Sequence, residues 1–419
     1  MHILQTTVSR ISVWLLLVLV YPAQALEFGT LTIWINSDKS HNGMRELGQR
    51  FTDDTGVPVT VLTQDDWSEE GDPAARFTRF ATTTEAPDII FWAHDRFGSW
   101  INEGLLLPVE PSPELRSEVY DFAWSAMTVG DQVFGYPISM EAISLIYNPN
   151  LIESPPRTWA DVIELDKALR PEGKRAIAWA YRTPYFTWPL VTSAGGYSFK
   201  KIDQAYDLTE VGVDNRGAIE GIQMLRTLMA EGVIEETDDY GRMMDAFTSG
   251  EAAMIINGPW AWNDIRQSGT PFELARFPAV SESAGAGRPF VGFLAGTINA
   301  FSPNKELAQQ FLEDYVMPYE GVSTLNNDRP LGAVANKRLM AELESNPLIA
   351  HTFNMAATGE TMPDIPEMRR FWSSWESHLG GLAAGEHSVE PTLTRIAERL
   401  RRLDSMKMWS RRHYLTSLD

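Results

Sequence analysis

The sequence predicts an α/β protein of two lobes, each a mainly parallel sheet flanked by helices, joined by a hinge around a central cleft. Three observations predict it. Short, continuously apolar segments alternate with segments of helical periodicity; two extended segments follow one another closely between a first and a second such block; and no low-complexity linker separates the blocks. With 419 residues, 44% hydrophobic and 22% charged, the chain can bury more than one core.

The elements follow in order. Leu31–Ile35 (LTIWI) is a buried strand, and turn and N-cap residues 36–40 lead into a helix with Met44, Leu47 and Phe51 on one face, ended by Gly56. Val57–Leu62 is the next strand, a helix runs towards Pro87, and Asp88–Ala93 is strand again. Val133–Met140 and Ala142–Tyr147 are the two extended crossings. The second block holds Ile177–Ala180, a helix over 215–232 with Ile222, Leu225, Leu228 and Met229 as its apolar face, and the strand Ala252–Asn257. Phe290–Ala300 is extended and precedes a helix over 305–317, and Val389–Lys407 is amphipathic.

The start of the chain reads as an export signal. One cation, an apolar run over Ile11–Tyr21, then Pro22 and Ala23-Gln-Ala25 form a secretory signal peptide, residues 1–25. The run is too short to span a membrane. Cysteine is absent, which excludes disulfides, thiolate metal sites, thiol catalysis and a lipid-anchored mature N-terminus. The mature protein is therefore expected in the periplasm, untethered. Acids outnumber bases 56 to 35, a formal charge of −21, which argues against nucleic acid or an anionic membrane as partner.

Catalytic signatures are missing. The chain has no His-Glu-x-x-His, Gly-x-Ser-x-Gly, phosphate-cradling or dinucleotide-binding glycine motif, and its seven histidines lack ligand spacing, so neither metal nor cofactor is expected. Polar residues instead recur beside tryptophan where strands end. Trp34-Ile-Asn36-Ser-Asp38-Lys39 and Trp92-Ala-His-Asp95-Arg96 close the first and third strands, Glu141 stands between the crossings, and Trp260 and Trp262 follow the strand at Asn257. Phe371-Trp372-Ser-Ser-Trp375 adds another aromatic group. In open α/β sheets the crevice beyond the strand carboxyl ends is where ligands bind. Flat aromatic faces beside carboxylates, amides and cations match a sugar, whose C–H faces stack and whose hydroxyls need placed partners.

On these residues the chain closely resembles the maltose/maltodextrin-binding proteins of bacterial ABC transporters. Matching stretches include Leu31–Asn36, Pro87–Gly98, Ser144–Asn148, Pro184–Leu190, Ile256–Trp262, Pro330–Ala335 and Met362–Pro366, collinear over most of the mature chain. The resemblance implies lobes of residues 26–140 plus 296–341 and 144–290 plus 348–405, hinge crossings at 141–143 and 291–295, and a tail at 406–419. It places polar sugar contacts on Asn36, Asp38, Lys39, Asp95, Arg96 and Glu141. Lining residues fall on Trp92, Tyr185, Phe186, Tyr240, Trp260, Met362 and Trp372. Departures from the family pattern fall at Thr183, where an acid is usual, and at Glu376, where an arginine is usual. An acidic pair of the family aligns with Ala74-Ala75 or with Glu69-Glu70. A malto-oligosaccharide ligand, an inner-membrane ABC permease, optionally a chemoreceptor, and a monomeric state are what the resemblance implies. A different gluco-disaccharide or glucoside is the alternative. A secreted glycoside hydrolase using Asp38, Asp95 and Glu141 is the reading from another class.

Overall fold

The structure, a computed structural model, describes residues 28–67, 73–202 and 205–402; the signal segment and the 406–419 tail lie outside them. Its elements include β1 (Leu31–Trp34), α1 (His41–Thr55), β2 (Val59–Leu62), α2 (Pro73–Phe80), β3 (Ile89–Ala93), α3 (Phe97–Asn102), β4 (Tyr136–Ala142) and β5 (Ser144–Tyr147). They continue with β6 (Arg175–Ala178), α4 (Pro184–Ser193), α5 (Arg216–Ala230), α6 (Tyr240–Thr248), β7 (Ala252–Asn257) and β8 (Glu273–Ala275). The last are β9 (Phe290–Ile298), β10 (Ala333–Val334), β11 (Glu360–Thr361), α7 (Met368–Ala383) and α8 (Val389–Arg401).

Two sheets carry the two-lobed α/β fold. A seven-stranded sheet has the order β10-β4-β9-β3-β1-β2, with β11 also on β9, and a four-stranded sheet has the order β8-β5-β7-β6. The apolar runs of β1, β4, β5, β7 and β9 are buried along their whole length. The chain passes from the large sheet to the small one at Ile143, the single residue between β4 and β5, and β9 carries it back.

That return bears on one departure from the sequence reading. The sheets are mixed rather than mainly parallel: β1 pairs in parallel with β2 and β3, and β6 with β7, but β9 runs antiparallel to both β3 and β4. A strand that re-enters a sheet from the opposite lobe arrives pointing the other way. Fully buried strands read alike in either direction, so the apolar pattern does not reveal it. The helix expected over 305–317 also divides, into an α-helix Lys305–Gln310 and a π-helical turn Phe311–Val316 that buries Phe311, Leu312 and Val316 together.

Candidate functional site

Adjacent strand ends build the floor of a cavity of about 440 Å³. Glu141, at the end of β4, pairs with Gly292 in β9, and Trp92, at the end of β3, pairs with Ala295. At Gly292 the Met362 methyl fills the space above the strand, so that a Cβ there would lie 2.7 Å from it and the methionine would have to shift. The loop after β1 contributes Asn36, Asp38 and Lys39, and the turn after β3 contributes Asp95 and Arg96. From the other sheet, Pro184 at the first turn of α4 sets up Tyr185 and Phe186. Trp260 sits on the turn after β7, where its ring folds back over Gly258 so closely that a Cβ would stand 2.3 Å from it. Tyr240 on α6 and Trp372 and Glu376 on α7 complete the lining.

All thirteen binding residues expected from the sequence line this one cavity, together with Thr183 and Glu376. The remaining candidates do not. Ala74 faces the core of the large-sheet lobe beside Phe77, because α2 turns positions three apart inward, and Ala75 faces solvent. Glu69 and Glu70 lie outside the described residues. Phe91, Ala93, Pro184, Gly292 and Leu294 also line the cavity and were not singled out. Of these, only Gly292 carried a signal, a glycine inside an apolar strand. Four aromatics in the suspect motifs are core instead: Trp34, Trp262, Phe371 and Trp375 are each 1% exposed or less.

The polar groups are tied to one another across the cavity. Lys39 Nζ lies 2.6 Å from Glu141 Oε1 and 4.5 Å from the centre of the Trp260 ring. Burial works against the Lys39 charge, but Glu141 and Asp38 outweigh it and raise the ammonium above its ordinary value. The Trp372 indole Nε1 donates to Asp95 Oδ2 at 2.9 Å, and Arg96 stands 3.8 Å from the same oxygen. Among the described residues, Asp38 Oδ1 is buried with no hydrogen-bond partner. Burial, then Glu141 and Asp95, raises the Tyr185 phenol well above its ordinary value, and burial also raises Tyr240, so both stay protonated donors at neutral pH. The cavity thus offers stacking faces, hydroxyl donors, cations and carboxylate acceptors, one of them unsatisfied, which a polyhydroxylated ligand can use together.

A larger cavity, about 1300 Å³, lies on the opposite face of β9: Val291 and Phe293 line it, while the alternate residues Gly292 and Leu294 line the smaller one. Phe122, Phe293 and Phe353 dominate it, with Lys201, Asp207 and Asp364 as its charges. Size does not select it, because of the thirteen binding residues expected from the sequence only Met362 lines it. Its buried His94 accepts the Phe293 N–H on Nδ1 at 3.1 Å, which puts the ring proton on Nε2. Burial, against the Met362 backbone and helped by Lys201, holds the imidazole down at about 4. A base whose folded value is depressed stabilises the fold fully above its unfolded value near 6.5, and that contribution, about 3 kcal/mol, drains away as the pH falls towards 4. His94→Asn, whose carbonyl can still accept from Phe293, is expected to flatten urea-unfolding stability between pH 6.5 and 4. A slope equal to that of the parent protein would refute the assignment.

The model of the bacterial extracellular solute-binding protein family matches residues 37–313, which include most of the residues that line the cavity. The chain belongs to that family. Among its relatives, this solute-binding protein is 24% identical over 376 residues to a galactooligosaccharide-binding protein of Bacillus subtilis, covering 88% of each chain. It is 27% identical over 317 residues to a maltodextrin-binding protein of the same organism, 73% of this chain and 74% of that one. A maltotriose-binding protein of Pyrococcus abyssi is 26% identical over 299 residues, 69% of this chain and 64% of that one. Among the described residues no helix is long and apolar enough to cross a membrane.

Proposed function

We propose that this solute-binding protein captures a malto-oligosaccharide between its lobes and delivers it to an ABC permease, without chemical change to the sugar. The observation that carries the reading is the cavity itself, with Trp92, Tyr185, Trp260 and Trp372 as faces and Asp38, Lys39, Asp95, Arg96 and Glu141 as hydroxyl partners. Relatives that bind maltodextrin and maltotriose support the glucan. The lobes would close about hinges at 141–143 and 291–295, driven only by the extra affinity of the closed form for the sugar. An exported, untethered, monomeric state completes the proposal. A galacto-oligosaccharide is the second reading, because the relative named for that ligand covers 88% of this chain. Glycoside hydrolysis by Asp38, Asp95 and Glu141 is disfavoured by the match to the solute-binding family.

Titration calorimetry with maltose, maltotriose, trehalose, sucrose, cellobiose and a galactobiose decides among these. Heat with maltotriose and maltose is expected; silence with every α-1,4-glucan would sink the malto-oligosaccharide reading, and release of monosaccharide on incubation would sink the non-enzymatic one. Trp372→Ala is expected to weaken the sugar roughly tenfold through loss of a stacking face, with the melting temperature little changed. Unchanged affinity would make Trp372 a packing residue only.

A further inference from the structure

We propose that Gln64, which does not line the cavity, is the positioning residue for the loop that carries Asn36, Asp38 and Lys39. The proposal rests on the sugar-binding reading of that cavity. The loop receives little support from its own helix, because Ser40, the N-cap of α1, makes no side-chain capping bond. Its backbone turns tightly, Lys39 N–H to the Asn36 carbonyl at 3.1 Å and His41 N–H to the Lys39 carbonyl at 2.7 Å. Between these, Ser37 is gripped from outside by both ends of one amide. Its N–H donates to Gln64 Oε1 at 2.9 Å, and Gln64 Nε2 donates to its hydroxyl at 2.6 Å.

Gln64 is itself held. It opens a short turn, Gln64–Asp66, in which the Thr63 N–H and hydroxyl donate to Asp66 Oδ2 at 2.7 and 3.0 Å, and Asp66 lies 3.6 Å from Arg45 of α1. The support therefore runs from α1, through the end of β2, back to the loop that precedes α1. Asp38 needs it most. With one buried carboxylate oxygen unpartnered among the described residues, its placement depends on the backbone to either side. A displacement of about 0.5 Å is enough to spoil a site of this kind.

The test uses the mature protein and the sugar that gives the strongest calorimetric signal. Gln64→Leu removes both bonds and is expected to weaken binding roughly tenfold at an unchanged melting temperature. Gln64→Glu keeps an acceptor for the Ser37 N–H and another towards which the Ser37 hydroxyl can turn, so it is expected to stay within about threefold. In double-mutant cycles, Gln64→Leu should couple with Asp38→Asn and add independently with Trp372→Ala across the cavity. Equal coupling to both, or no loss in Gln64→Leu, overturns the proposal. Hydrogen exchange at the Ser37 amide, measured without sugar, is expected to quicken in Gln64→Leu; no change there overturns the positioning role. Silence of the parent protein with every sugar overturns the functional reading instead.

Discussion

Glu141→Ala is expected to reduce sugar affinity by about 30- to 1,000-fold, the largest effect of any single change in the cavity. The variant loses an acceptor for a sugar hydroxyl, and it strands Lys39. That ammonium is buried, with Glu141 at 2.6 Å, and Glu141 and Asp38 are the main groups opposing the burial that penalises its charge. Without Glu141 the Lys39 value must fall, and the ring of Trp260 at 4.5 Å is a weaker substitute than a carboxylate. Glu141→Gln preserves the shape and an acceptor, so it should cost less, roughly tenfold. The two variants also differ in pH behaviour. With less holding the Lys39 proton, binding by Glu141→Ala should weaken further as the pH rises towards 9, whereas the parent protein should stay flat. Calorimetric affinities at pH 6, 7.5 and 9 measure both effects. An affinity within threefold of the parent would remove Glu141 and Lys39 from the binding machinery.

How much of this was legible in the sequence follows from where each residue sits. Trp92, Asp95 and Arg96 stand where an apolar strand ends, and the crevice beyond strand ends is a general ligand location, so their place could be argued from pattern alone. Tyr240 and Met362 have no such signature; a tyrosine at the start of α6 and a methionine after β11 came only through the family resemblance. Trp260 and Trp262 show the limit from the other side. Two residues apart on a helical path, they point to opposite faces, one into the cavity and one, 1% exposed, into the core. Trp372 and Trp375 share a motif too, yet α7 turns Trp375 under Trp188 and brings Trp372 and Glu376 to the cavity. The direction of β9 was hidden because its nine residues are all buried. The clamp between Ser37 and Gln64 was hidden for another reason, since polar loop residues 27 positions apart leave no periodic trace.

Asp238→Ala is expected to cost about 3–5 kcal/mol of unfolding stability while leaving the cavity untouched. Asp238 receives both arms of Arg175, Nη1 at 2.9 Å and Nη2 at 2.6 Å, and its Oδ2 also accepts the Glu235 N–H at 2.9 Å. Its side chain is wholly buried, and that of Arg175 is 9% exposed. Removing the aspartate leaves a guanidinium inside the small-sheet lobe with the Val233 carbonyl at 3.2 Å and a half-exposed Glu235 at 3.7 Å. Neither replaces a bidentate carboxylate. The damage should be local to the start of β6, where Arg175 pairs with Ala252, and should leave Tyr185 and Trp260 in place, so affinity measured well below the melting temperature should match that of the parent. Arg175→Met with Asp238→Leu should recover much of the loss, because an apolar pair removes the buried charge as well as its partner. Sugar at 100 times its dissociation constant should restore about 2.7 kcal/mol to Asp238→Ala, as it would to any form that binds only when folded. A loss below about 1 kcal/mol in urea unfolding would mean that water reaches Arg175 and that the ion pair is not what holds this edge of the sheet.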